Sequence, residues 1–144
     1  MPLQITDSMI QRAIAVLRIV SAYLLVQHGT AKHLGFPHAA MFDNLPTFSL
    51  IGIAGILEIV GGMLLLIGLF TRPVAFVLSG LAAFAYFIGH APQDKVLSPM
   101  LNGGEAAVLF CFVFLFLAVA GAGSWSVDAL RAPPRYRGVT GAPR

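Results

Sequence analysis

Two ionisable residues stand inside otherwise apolar runs of the chain: Arg18, within residues 13–26, and Glu58, within residues 48–70. In hydrocarbon each charge costs roughly 2.5–3.5 kcal/mol on insertion scales. Their opposite signs suggest the remedy, an Arg18–Glu58 ion pair that removes much of both penalties and fixes how two segments meet. A second set of residues is chemically richer: His28, Lys32, His90, Asn102 and Glu105. It offers bases, an ammonium, an amide and an acid. Such groups can exchange protons with a small polar-headed ligand and orient it, or they can be interfacial residues reaching water. Two histidines and a glutamate also suit a metal ion. These three come from separate segments with no local spacing signature, so no metal is expected. Cys111 is the one cysteine, which excludes an intrachain disulfide and the paired-thiol chemistry of disulfide exchange.

The elements that position these groups follow from composition. The chain has 144 residues, of which 58% are hydrophobic and 10% charged, with a mean hydropathy of +0.85. A soluble domain carries roughly 25% charged residues, so lipid must be part of the solvent. Four apolar segments, 12–32, 47–70, 73–90 and 102–121, each approach the roughly 20 residues that a crossing helix needs. The expected fold is therefore all-α, a four-transmembrane-helix bundle over 12–123. Residues 1–11 precede it, and a tail over 124–144, rich in Pro, Gly and Arg, reads as partly disordered. Arg18 interrupts the first segment and no small-residue cleavage site follows, so it reads as a retained helix rather than a signal peptide. The net charge of +3 forms no patch interleaved with aromatics, which argues against nucleic acid as a partner. No GxGxxG, phosphate-loop or HExxH motif occurs.

Helical phase turns the polar groups inward. At 3.6 residues per turn, Arg18, Ser21, Ala22, Leu25, His28, Gly29 and Lys32 share one stripe. So do Ala54, Gly55, Glu58, Gly61 and Gly62, and likewise Ser79, Ala82, Ala83, Tyr86 and His90. Small residues let helix backbones approach one another in lipid. By helical rise, His28, Glu105 and His90 lie about 9, 10 and 12 Å outward of mid-span, and Lys32 and Asn102 border the same layer. These five residues form the candidate ligand and proton-exchange site.

Only Thr71 and Arg72 separate the second and third segments, which makes them a hairpin. One face then holds Arg12, Arg72, Arg131, Arg135, Arg137 and Arg144, and the other Lys32 and Lys95. Positive residues collect on the cytoplasmic side, so both termini and the Arg72 hairpin are expected there, in the inner membrane. Trp125 suits an interfacial anchor.

The ordered motifs resemble those of the DoxX family of small four-helix membrane proteins. The matching pieces are Arg18, the His28–Lys32 run HGTAK, Glu58 with Gly61 and Gly62, and the run GLFTR that ends in Arg72. They continue with His90, with Pro99 leading to Asn102-Gly103-Gly104-Glu105, and with Gly121, Gly123, Ser124, Trp125, Ser126 and Asp128. The resemblance covers roughly residues 12–130. It implies an association with redox processes, since a related subunit belongs to a thiosulfate:quinone oxidoreductase. The reading that follows is a redox-associated protein binding a quinone-like or other small ligand, with a quinone as the implied cofactor. Electrons would come through a partner oxidoreductase, soluble or membrane-bound, or through a bound cofactor. Rival readings are a non-catalytic anchoring subunit of such a partner and a small proton-linked transporter. An oligomer is compatible with each.

Reporter fusions test the orientation. A fusion at the C-terminus is expected to report a cytoplasmic location, and one within the 91–101 connection an extracytoplasmic one. The opposite pattern overturns the arginine-count argument.

Overall fold

The computed structural model describes residues 6–91 and 95–132, and among these every regular element is helical. Helix α1 (Asp7–Leu34) opens on Thr6, whose side chain accepts from Met9 N–H, and closes at Gly35 in the left-handed conformation. Asp7 in the first turn, and Lys32 and His33 in the last, complement the helix dipole. These caps make α1 longer at both ends than the 12–32 segment. A connection with one 3₁₀ turn, Ala40–Phe42, leads to α2 (Leu50–Ile67). Ser49 caps α2 and Gly68, at φ 68°, terminates it, which trims the 47–70 segment.

Helix α3 (Thr71–Ala85) begins two residues before Pro73 and runs on into a π turn, Tyr86–His90. The fourth apolar segment, 102–121, forms one helix, α5 (Glu105–Ala120), trimmed at its start. Gly103, at φ 73°, and Gly104 part it from a single preceding turn, α4 (Pro99–Asn102). The tail folds in part: Ser126 caps a short α6 (Val127–Arg131). Residues 133–144, with Arg135, Arg137 and Arg144, lie outside the described residues.

Helix α1 packs chiefly on α2, and α3 chiefly on α5; α2–α3 and α1–α5 contacts close the ring. The core joins Ile14, Ala22, Leu25, Leu65, Ala75, Leu78, Phe114 and Leu117. Outside it, Val16, Val20, Leu24, Ile53, Val60, Phe76, Val77 and Phe112 are exposed. An all-helical body with apolar side chains both within and without suits lipid rather than water. Helix α1, helix α2 and the stretch Thr71–His90 are long and apolar enough to cross a membrane; α5 is apolar but only 16 residues long.

Glycines set the register of the α1–α2 pair. A Cβ on Gly29 would lie 2.6 Å from Gly55 O, and one on Gly62 would lie 2.7 Å from Val26 and 3.3 Å from Ala22 O. The two backbones therefore approach where sequence phase puts small residues, with Gly29 opposite Gly55 and Gly62 opposite Ala22 and Val26.

Gly29→Val is expected to destabilise the fold by about 1–3 kcal/mol or more, because backbone cannot yield to a new side chain as a rotamer can. Gly80→Ala, at a position with open space around it, is expected to be neutral or to stabilise by up to about 1 kcal/mol. Unfolding in mixed micelles compares the two.

Candidate functional site

The interior polar groups form two centres at opposite ends of the bundle, with a third cluster fastening a loop. At the arginine-rich end, Arg18 is fully buried. Its Nη1 donates to Leu65 O and, at 2.7 Å, to Leu66 O; Nε donates to Ala122 O and Nη2 to Trp125 O, both at 2.8 Å. Leu65 and Leu66 lie in the last turn of α2, whose carbonyls lack partners within the helix and carry the negative end of its dipole. Ala122 and Trp125 belong to the segment that follows α5. Nearby, the Asp128 carboxylate accepts from Phe70 N–H at 2.9 Å and Thr71 N–H at 2.8 Å, capping α3 from a distant part of the chain. Arg72, exposed on the hairpin, lies over Gly121, where a Cβ would meet its Nε at 3.4 Å.

At the other end, Lys32 Nζ donates to both carboxylate oxygens of Glu58 at 2.6 Å. Both side chains are about one-tenth exposed, and the Phe42 ring stands 5.7 Å from Nζ. His33 lies beside this pair. Its Nε2 donates to Gly52 O at 2.7 Å, and its ring occupies the space that a Cβ on Gly55 would need.

The expected Arg18–Glu58 pair is therefore replaced by Lys32–Glu58, and register explains why. Side chains on a helix lean toward its N-terminus. In antiparallel α1 and α2, Lys32 leans inward along α1 while Glu58 leans outward along α2, so the two converge. Arg18 leans away from Glu58, toward the C-terminus of α2. Glu58 is seven residues, about 10 Å of rise, short of the carbonyls that Arg18 reaches.

The five residues assigned to one outer cavity do not all converge. Tyr86 Oη donates to Val96 O at 2.6 Å. Asn102 Nδ2 donates to Tyr86 Oη at 3.2 Å and Lys95 O at 3.1 Å, while Asn102 Oδ1 accepts from Gly104 N–H at 2.8 Å. His90 Nδ1 donates to Asn102 O at 3.1 Å, and its ring stacks on Tyr86. His90 and Asn102 thus bind the third connection to the π turn. His28 is exposed and meets Phe110 edge-to-face. Glu105 is exposed in the first turn of α5, where an acid complements the dipole. Among the described residues, no three His, Cys, Asp or Glu side chains gather as a metal site requires.

Sequence reading did not single out His33 or Phe42, and it named Asp128 only as part of the family motif, without a role. His33 follows Lys32 on a helix end and Gly55 leaves room for it, a signal that needs the register to interpret. Asp128 acts across 57 residues of chain, beyond any local pattern.

A family model described as DoxX matches residues 13–91, a stretch that holds Arg18, Lys32, Glu58 and Arg72. An uncharacterized protein of Haemophilus influenzae (strain ATCC 51907 / DSM 11121 / KW20 / Rd) is 44% identical over 117 residues, covering 80% of this chain and 87% of that protein. No solved structure matches.

A double-mutant cycle separates the two buried charges. Lys32→Met or Glu58→Gln alone is expected to cost roughly 3–5 kcal/mol, because the remaining partner stays buried and unpaired. Combining them recovers much of that loss. Combining Arg18→Met with Glu58→Gln is expected to be additive within about 0.5 kcal/mol. Strong coupling in the second cycle, measured by unfolding in mixed micelles, overturns the assignment.

Proposed function

This chain belongs to the DoxX family, and on that premise we propose that it is a redox-associated protein of the inner membrane whose Lys32–Glu58 pair binds the head group of a quinone-like ligand. The observation that carries this reading is the pair itself. Ionisable residues kept within an apolar bundle mark ligand or proton sites by default, and this pair keeps hydrogen-bonding capacity in reserve. An ammonium has three donors, of which Glu58 takes two. The third suits a quinone carbonyl, and a Glu58 oxygen suits the hydroxyl of the reduced form. Phe42 offers a ring beside the same atoms, and His33 adds a titratable neighbour. His28 and Glu105, both exposed, stand as proton-exchange groups between such a ligand and water. Electrons would come from a partner oxidoreductase or a bound cofactor.

The membrane arrangement completes the reading. Helix α5 would make a fourth crossing with help from α4, both termini would be cytoplasmic, and the Lys32 end would face the other side. The engagement of Tyr86, His90 and Asn102 with the third connection favours a second reading, in which this end is a rigid docking platform and the protein anchors a partner without chemistry of its own. A transporter gains less support, because the breaks at Tyr86–His90 and Gly103-Gly104 lie at helix ends rather than at mid-span.

The test uses a short-chain ubiquinone and the protein in detergent. Wild type is expected to bind it, and the double variant Lys32→Met, Glu58→Leu to bind about ten- to a hundredfold more weakly, as losing hydrogen bonds to charged groups implies. An apolar replacement of both partners keeps the fold, since buried pairs exchange for hydrophobic residues at little cost. Undiminished binding by the folded double variant sinks this site, and absence of binding by wild type favours the anchoring subunit.

A further inference from the structure

Two bulky aromatic residues at the arginine-rich end hold the backbone conformation that such side chains least favour: Phe70 at φ 51° and Trp125 at φ 55°. Left-handed backbone suits glycine and strains a residue of this size. Each is pinned by a polar group that the fold supplies. Phe70 N–H donates to the Asp128 carboxylate at 2.9 Å, and Trp125 O accepts from Arg18 Nη2 at 2.8 Å. Yet both side chains turn outward, 57% and 63% exposed. Strain and apolar exposure are spent together, which water would not repay and a membrane interface would.

Trp125 borders an open groove of about 470 Å³ with Ile67, Ser126, Val127, Ala129 and Leu130. The Arg131 guanidinium stands 5.7 Å from the Phe70 ring. Arg12, Arg72 and Arg131 are exposed at this end, whereas the Asp128 carboxylate is engaged by two backbone N–H groups. We propose that this groove is a binding site for one anionic phospholipid. The lipid's phosphate meets Arg131, whose planar fork matches phosphate oxygens. Its acyl chain lies along Ile67 and Leu130, and the rings of Trp125 and Phe70 sit at headgroup depth. Arg18 and Asp128 are then positioning residues, since they hold the backbone that aims the two rings.

Trp125 is the single tryptophan, so its emission reports this site alone. The full chain is reconstituted in phosphatidylcholine vesicles doped with brominated phosphatidylglycerol or with brominated phosphatidylcholine, and quenching is compared. The expected result is about a fivefold preference for the anionic lipid, the contribution of one interfacial cation. Arg131→Ala is expected to abolish that preference with unchanged melting, Arg131→Lys to retain part of it, and Arg12→Ala to leave it intact. Equal quenching by the two lipids overturns the proposal. So does a preference that survives Arg131→Ala, or one that Arg12→Ala removes as fully, which would mean a diffuse surface field.

Discussion

The fold depends on one guanidinium that must find carbonyl oxygens rather than a carboxylate. Arg18 lies fully buried, where a lone charge would be expensive. Four backbone carbonyls answer it, through charge-assisted bonds stronger than ordinary amide pairs. Two of them end α2 and two lie beyond α5. The same residue therefore satisfies the carbonyls at the end of α2 and seats the segment after the last apolar helix. The Asp128 carboxylate, capping α3 a few residues away, brings negative charge to the same end and ties that segment to the hairpin.

Glycine spacing sets the opposite end. Gly29, Gly55 and Gly62 bring α1 and α2 close enough that a Cβ at any of them would collide. That register decides which acid meets which base. Lys32 and Glu58 meet because both side chains lean into the same gap. The result is that α1 meets α2 at one end through bonds to backbone and at the other through a side-chain pair with His33 beside it.

Much of this was legible in the chain and some was not, for identifiable reasons. The buried faces of α1, α2 and α3 follow the 3.6-residue stripes through Arg18, Ser21, Ala22 and Leu25, through Gly55, Glu58, Gly61 and Gly62, and through Ser79, Ala82 and Tyr86. His28 fell on the same stripe yet is exposed, because a stripe has edges that phase alone does not resolve. The partner of Arg18 was unreadable in principle, since every residue has a carbonyl and none advertises it in sequence. Glu58 was the carboxylate placed deep within an apolar run, so charge arithmetic chose it. The outer layer was built from depth alone. Depth put His90, Asn102 and Glu105 at one level, but the chain uses the first two to tether a connection. The start of the fourth helix at Glu105 rather than at 102 was signalled by Gly103-Gly104, which hydropathy outweighed.

The order in which a ribosome delivers this polypeptide gives the Arg18 arrangement a further meaning. Arg18 emerges early, whereas Ala122 and Trp125 follow 104 and 107 residues later. Until they arrive, the first helices can satisfy Nη1 from the end of α2, but Nε and Nη2 must draw on water or lipid headgroups. A polypeptide cut short after α5 would keep a buried cation with idle donors on Nε and Nη2. Those donors find their carbonyls once residues 122 and 125 have been made.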